Sequence, residues 1–97
     1  MATFISLLNF TDQGIRNIKQ SPDRAQAFKE MAEKAGVKVK DIYMTVGNYD
    51  IVVVLDGPDD ETVTSVLLSL GALGNVRTQT LRAFSIEERN RIIAKMP

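Results

Sequence analysis

The chain has 97 residues, the size of one domain with a core of its own. Twelve Lys and Arg balance twelve Asp and Glu, so the formal charge is zero, which argues against nucleic acid and against a polybasic membrane surface. Cys, His and Trp are absent, which excludes disulfides, thiol nucleophiles, Cys/His zinc sites and imidazole acid–base chemistry.

The first strand is read from about Thr3 to Phe10, with no basic region or long apolar stretch of a leader before it. A cytoplasmic setting is the default expectation. Thr11 and Asp12 offer a cap for a short helix to Lys19, with Ile15 and Ile18 expected inward. Ser21 is expected to cap a second helix starting at Pro22, because proline suits a first-turn position. Ala25, Phe28, Ala32 and Ala35 form its apolar stripe, and Gly36 ends it.

Val37 to Val46 reads as the second strand. Gly47-Asn48 is a two-residue turn signal, both residues tolerating positive φ, and Tyr49 to Asp56 follows as the third strand. Gly57-Pro58-Asp59-Asp60-Glu61 opens a helix whose acids suit the positive end of its dipole. Val63, Val66, Leu67 and Leu70 are its buried stripe. Asn75 to Phe84 is the fourth strand. Ser85 and Glu88 have capping-box spacing and start a last helix to about Lys95.

The order strand, helix, strand, strand, helix, strand, helix predicts an α+β, ferredoxin-like βαββαβ sandwich over residues 1–97, with an extra C-terminal helix. Its antiparallel sheet takes the order 4-1-3-2, with the two main helices on one face. A sheet with one wet face should alternate apolar and polar residues. Ile51-Val52-Val53-Val54-Leu55 does not, and in the first strand Phe4 and Leu8 oppose Ile5 and Leu7 in phase. A second layer is therefore expected on the free face. If Gly47-Asn48 are the loop residues, Ile42, Met44, Val46, Tyr49, Ile51, Val53 and Leu55 face the helices. Tyr43, Thr45, Asp50, Val52 and Val54 share the other side. On the fourth strand, Val76, Thr78, Thr80, Arg82 and Phe84 oppose Arg77, Gln79, Leu81 and Ala83, and either set can face inward.

Gly47-Asn48-Tyr49-Asp50 leading into an apolar strand resembles the GYD domain family. Ile42-Tyr43, Gly57-Pro58-Asp59-Asp60-Glu61, Gly74-Asn75-Val76-Arg77-Thr78, Leu81-Arg82-Ala83-Phe84 and Phe10-Thr11-Asp12-Gln13-Gly14-Ile15 extend the resemblance over nearly the whole chain. The family is similar in fold to the dimeric α/β barrels, in which two ferredoxin-like sheets face each other. The resemblance thus implies a homodimer or larger assembly, without implying a particular activity. Met44 stands before the turn, where an aromatic is typical of the family.

Asp50 is the leading candidate for acid–base work, because a carboxylate starting an apolar strand can hold a perturbed proton. The alternative is a hydrogen bond to the turn backbone or a pair with Arg77 or Arg82. Tyr43 is a candidate donor in an enclosed space, and Tyr49 is expected in the core. Arg77, Gln79 and Arg82, with Thr45, are candidate ligand contacts able to clamp an anion. Gly71-Ala72-Leu73-Gly74 reads as turn geometry, since it lacks the basic residues and helical setting of a GxxG RNA loop. The acids at 59–61 lack EF-hand spacing, and no metal or cofactor is implied.

Two functions follow. The first is a homo-oligomeric module that dimerises through sheet faces and binds a small polar metabolite, with no nucleic acid or membrane partner. The second is a small cofactor-free enzyme of isomerase or monooxygenase type, using Asp50 as acid/base beside Tyr43.

Overall fold

The computed structural model describes all residues, Met1–Pro97. Four strands, β1 (Ala2–Phe10), β2 (Lys38–Met44), β3 (Ile51–Gly57) and β4 (Val76–Ala83), form one antiparallel sheet in the order β2-β3-β1-β4. This is the expected ferredoxin-like sheet, read from its other edge. Helices α1 (Asp12–Arg16), α2 (Ser21–Lys34), α3 (Asp60–Ala72) and α4 (Ile86–Ala94) complete the chain, with a 3₁₀ turn at Ile18–Gln20.

Register decides which side chains make the core. Phe4 pairs with Leu55, Ser6 with Val53 and Leu8 with Ile51, so these residues share the helix-covered face. Phe4, Leu8, Val53 and Leu55 are buried there with Phe28 and Ala32 of α2 and Val63, Val66 and Leu67 of α3. Ser6 is fully buried among them, and its hydroxyl is satisfied by Thr80 at 3.1 Å. The phase of β4 is settled as well. Thr78 pairs with Leu8, Thr80 with Ser6 and Arg82 with Phe4, so the even positions share the helix side.

Local chemistry explains most element ends. The Asp59 side chain accepts from the Thr62 N–H and caps α3, and the Ser85–Glu88 capping box is formed in full at α4. Gly36 has a φ of 82° just past α2. Three expectations are corrected. Ser21 is the first helical residue of α2 rather than its cap, because the preceding 3₁₀ turn runs straight into the helix and Gln20 takes the cap position. Ile15 and Ile18 point to solvent. In α1 it is Gly14 that is buried, so close to β4 that a Cβ there would lie 1.9 Å from the Asn75 carbonyl oxygen.

The β2–β3 hairpin is the third correction. Met44 does pair with Ile51, but Met44 is 81% and Val46 97% exposed, since the hairpin runs past the end of the helices. The ladder stops there, and residues 45–50 form a loop in which only Gly47, at φ 115°, has positive φ. A bulge between Val39 and Asp41 keeps Val39 and Ile42 both packed on the core.

α4 buries none of its residues, and Ile86, Ile92 and Ile93 are exposed. With this helix off the end of β4, the molecule measures 50 × 31 × 18 Å.

Candidate functional site: the open sheet face and its hairpin

The face away from the helices carries Ile5 and Leu7 from β1, Val52 and Val54 from β3, Tyr43 from β2 and Leu81 from β4. Ile5, Leu7, Val52 and Val54 are half-buried by their neighbours, whereas Tyr43 and Leu81 are 57% and 46% exposed. Polar residues close the strip at both ends. At one end Asp56 accepts from Thr3 Oγ1 at 2.8 Å and lies 3.8 Å from the Lys40 ammonium. At the other stand Asn9, Arg77 and Gln79.

The hairpin loop is tied to that second end by backbone chemistry. The Asp50 N–H donates to the Leu8 carbonyl at 2.9 Å, and the Asp50 carbonyl accepts from the Thr45 N–H at 2.8 Å. The Asp50 carboxylate accepts from the Phe10 N–H at 2.8 Å. Asn9 Nδ2 donates to the Asn48 carbonyl at 2.9 Å, and Thr45 Oγ1 donates to the Tyr49 carbonyl at 2.6 Å. Gly47 supplies the backbone reversal that an L side chain resists.

Tyr49 departs from its expected place in the core. The loop turns its ring onto the open face, where it reaches across β1 and its hydroxyl donates to Gln79 Oε1 at 3.1 Å. The two-residue-turn register fails here because the strand pairing ends at Ile51, before Tyr49. Leu7, Asn9, Tyr49, Arg77, Thr78 and Gln79 line a shallow groove of about 210 Å³.

The remaining candidates divide between the two sides of the sheet. Arg77 and Gln79 are together in the groove. Tyr43 lies on the same face beside Val52, but does not line the groove. Arg82 is on the other side. Its guanidinium lies 4.5 Å from the Phe84 ring centre and 5.5 Å from that of Phe4, donates to the Thr3 and Ala83 carbonyls, and meets Glu88 Oε2 at 3.5 Å. The structure therefore does not assemble the expected clamp of Arg77, Gln79 and Arg82, because residues 77 and 82 differ in strand phase. Asp50 lines neither this groove nor the larger cavity under the helices. Sequence reasoning missed Asn9 and Leu7 as groove residues. Only the register of β4 on β1 brings them to Arg77 and Gln79.

Two carboxylates have perturbed protons, and both are helix caps away from the groove. The Thr62 backbone N–H holds the Asp59 carboxyl below its ordinary range, and the Ser85 backbone N–H, helped by the charge of Arg82, does so for Glu88.

Known proteins share this architecture. A protein of Thermus thermophilus described as a glutamine synthetase and cystathionine beta-lyase binding protein is 35% identical over 89 residues, covering 91% of this chain and 94% of its own. The crystal structure of TTHA0845, also from Thermus thermophilus, superposes with a TM-score of 0.57 at 28% identity, over 88% of this chain and 95% of that one. The structure of MtbAldR (Rv2779c) matches with a TM-score of 0.60 at 15% identity, over 87% of this chain and 52% of that one, a likeness of fold alone. Residues 4–93 match the model of the GYD domain, and with the relative that is 35% identical this establishes that the chain belongs to the GYD domain family.

Proposed function

We propose that this protein is a non-catalytic homo-oligomeric module. It pairs through its open sheet face, holds a small polar metabolite in the groove at the end of that face, and engages metabolic enzymes as an assembly. The observation that carries this reading is the strip of Ile5, Leu7, Val52, Val54, Tyr43 and Leu81, an apolar row on a sheet face that no element of the chain covers. A second sheet laid on it removes that surface from water and closes a dimeric barrel.

The ends of the strip support pairing with a second copy. Asp41 lies toward one end, beside the Asp56–Lys40 pair, and Arg77 at the other, separated by the six-residue step from Thr3 to Asn9 along β1, roughly 20 Å. A two-fold axis lying in the interface and running across the strands brings the Arg77 end of one copy to the Asp41 end of the other. The enzyme-partner part rests on the Thermus relative, described as binding glutamine synthetase and cystathionine beta-lyase. Asp50 favours the module over the enzyme, because its carboxylate is engaged by a backbone amide and adjoins neither cavity.

Light scattering at micromolar concentration tests the assembly. The expected result is a dimer or a multiple of it, reduced to a folded monomer by Val54→Lys. A monomeric wild type at high micromolar concentration overturns the reading. Native mass spectrometry of protein purified from its source reports any retained metabolite, and interferometry against purified glutamine synthetase tests the enzyme partner.

A further inference from the structure

On the opposite side of the sheet, between it and helices α2 and α3, lies a cavity of about 350 Å³. Leu8, Phe28, Ile42, Val53, Leu70 and Val76 are among its walls. Its only polar lining residues are Ser21, Arg24 and Asn75.

These three lie together at one end. Ser21 and Arg24 are three residues apart on α2 and so neighbour each other on one helix face. Arg24 Nη2 donates to the Gly14 carbonyl at 3.3 Å, and Gly14 packs directly on the Asn75 backbone. Arg24 Nη1 donates to the Asn17 carbonyl at 2.8 Å. A guanidinium has five N–H donors, so these bonds leave part of it unused, and no carboxylate lies within 4.0 Å of it. The Asn75 side-chain oxygen is taken by Gln13 at 3.0 Å, which leaves its amide N–H groups free to donate. The end of the cavity thus offers a half-buried cation and two neutral donor groups without an acid.

The cavity is open to solvent along one side, and its volume falls within the range of ligand pockets. Its walls match an aliphatic chain, and its polar end matches an anionic head. We propose that this cavity binds a medium-chain carboxylate of about ten carbons, with the chain between the helices and the sheet and the carboxylate on Arg24, Ser21 and Asn75. The site is separate from the open face, and its occupancy does not depend on assembly.

Methyl-resolved NMR titration of the full-length protein with sodium decanoate tests this, with decan-1-ol and sodium acetate as comparisons. Decanoate is expected to shift the Val53, Leu70 and Val76 methyls saturably and to raise the melting temperature. Acetate is expected to do neither. Arg24→Gln should weaken decanoate binding roughly tenfold or more while leaving decan-1-ol unchanged, and Arg24→Lys should recover part of the loss. Ala25→Phe, which fills the cavity from α2, should abolish binding of both. Shifts confined to Ile5, Leu7 and Val54, an absence of saturable shifts, or equal decanoate affinity in wild type and Arg24→Gln would each overturn the proposal.

Discussion

The carboxylate of Asp50 accepts the backbone N–H of Phe10 at 2.8 Å, at the point where the pairing of β1 with β3 has run out. The last paired residues are Leu8 and Ile51, yet β1 continues to Phe10. The side chain of Asp50 therefore supplies the acceptor that another strand residue would have given. This explains why an acid suits the start of an apolar strand without assigning it a proton to transfer. Asp50→Ala leaves the Phe10 N–H without its partner and should destabilise the fold by about 1–3 kcal/mol. Asp50→Asn keeps an acceptor oxygen and should recover much of that loss. Urea denaturation of the two variants measures the difference. Equal losses in both would show that the charge, rather than the hydrogen bond, is what matters.

Two glycines should respond differently to a methyl group. Gly47 has open space around it but a φ of 115°, so Gly47→Ala meets only backbone strain, of about 1–3 kcal/mol. Gly14 has ordinary φ but no room, its added Cβ falling 1.9 Å from the Asn75 oxygen. Gly14→Ala must push α1 away from β4 and should cost about 3 kcal/mol. Thermal melts of both variants rank the costs, and a Gly47 variant less stable than the Gly14 variant would contradict this account.

These cases show what could be read ahead of the structure. Val53 and Leu55 are assignable to the core because the pairing of Met44 with Ile51 puts them on the face that also carries Ile42 and Ile51. Ser85 and Glu88 are legible because a capping box depends on spacing alone. Tyr49 is not, because its side depends on where the ladder stops. Nor is the separation of Arg82 from Arg77. Both alternatives for β4 satisfy the same strand pattern, and the choice is made by Val76 packing in the core and by the Thr80 hydroxyl meeting that of buried Ser6. Arg24 carries no pattern at all. It acquires meaning only when α2, α1 and the start of β4 meet around it.

The helix caps give the protein an acid-side sensitivity. Asp59 and Glu88 both have lowered proton affinity in the folded state, from ordinary values of 3.8 and 4.5. A depressed carboxyl contributes stability that is fully present above its unfolded pKa and disappears as pH falls through its folded one. Their contribution should therefore be intact at neutral pH and fade below the ordinary carboxylate range. Melting temperatures measured from pH 7 to pH 3 should fall less steeply in Asp59→Asn and Glu88→Gln than in the wild type, starting from a lower value at pH 7. A slope unchanged in both variants would remove the caps as its source.

Substitutions at Tyr49 and Val54 test the proposed ligand binding and the proposed assembly separately. The Tyr49 hydroxyl bridges to Gln79 over the groove, at the polar end of the open face, whereas Val54 lies within the apolar strip. A partly exposed hydroxyl bond contributes no more than about 1 kcal/mol to stability, so Tyr49→Phe should keep the fold and the oligomer. It removes a donor from the groove and leaves Gln79 free to turn, so a polar ligand held there should be lost. Under the proposed pairing, Val54→Lys places a charge between the two apolar faces and should dissociate the proposed assembly, and with it any ligand enclosed between the copies. Native mass spectrometry of the two variants beside the wild type reads subunit number and bound mass in one measurement. Ligand lost with the oligomer intact in Tyr49→Phe, and both lost in Val54→Lys, is the expected pattern. Ligand retained by monomeric Val54→Lys would place it away from the open face, leaving the cavity under the helices as the site to examine.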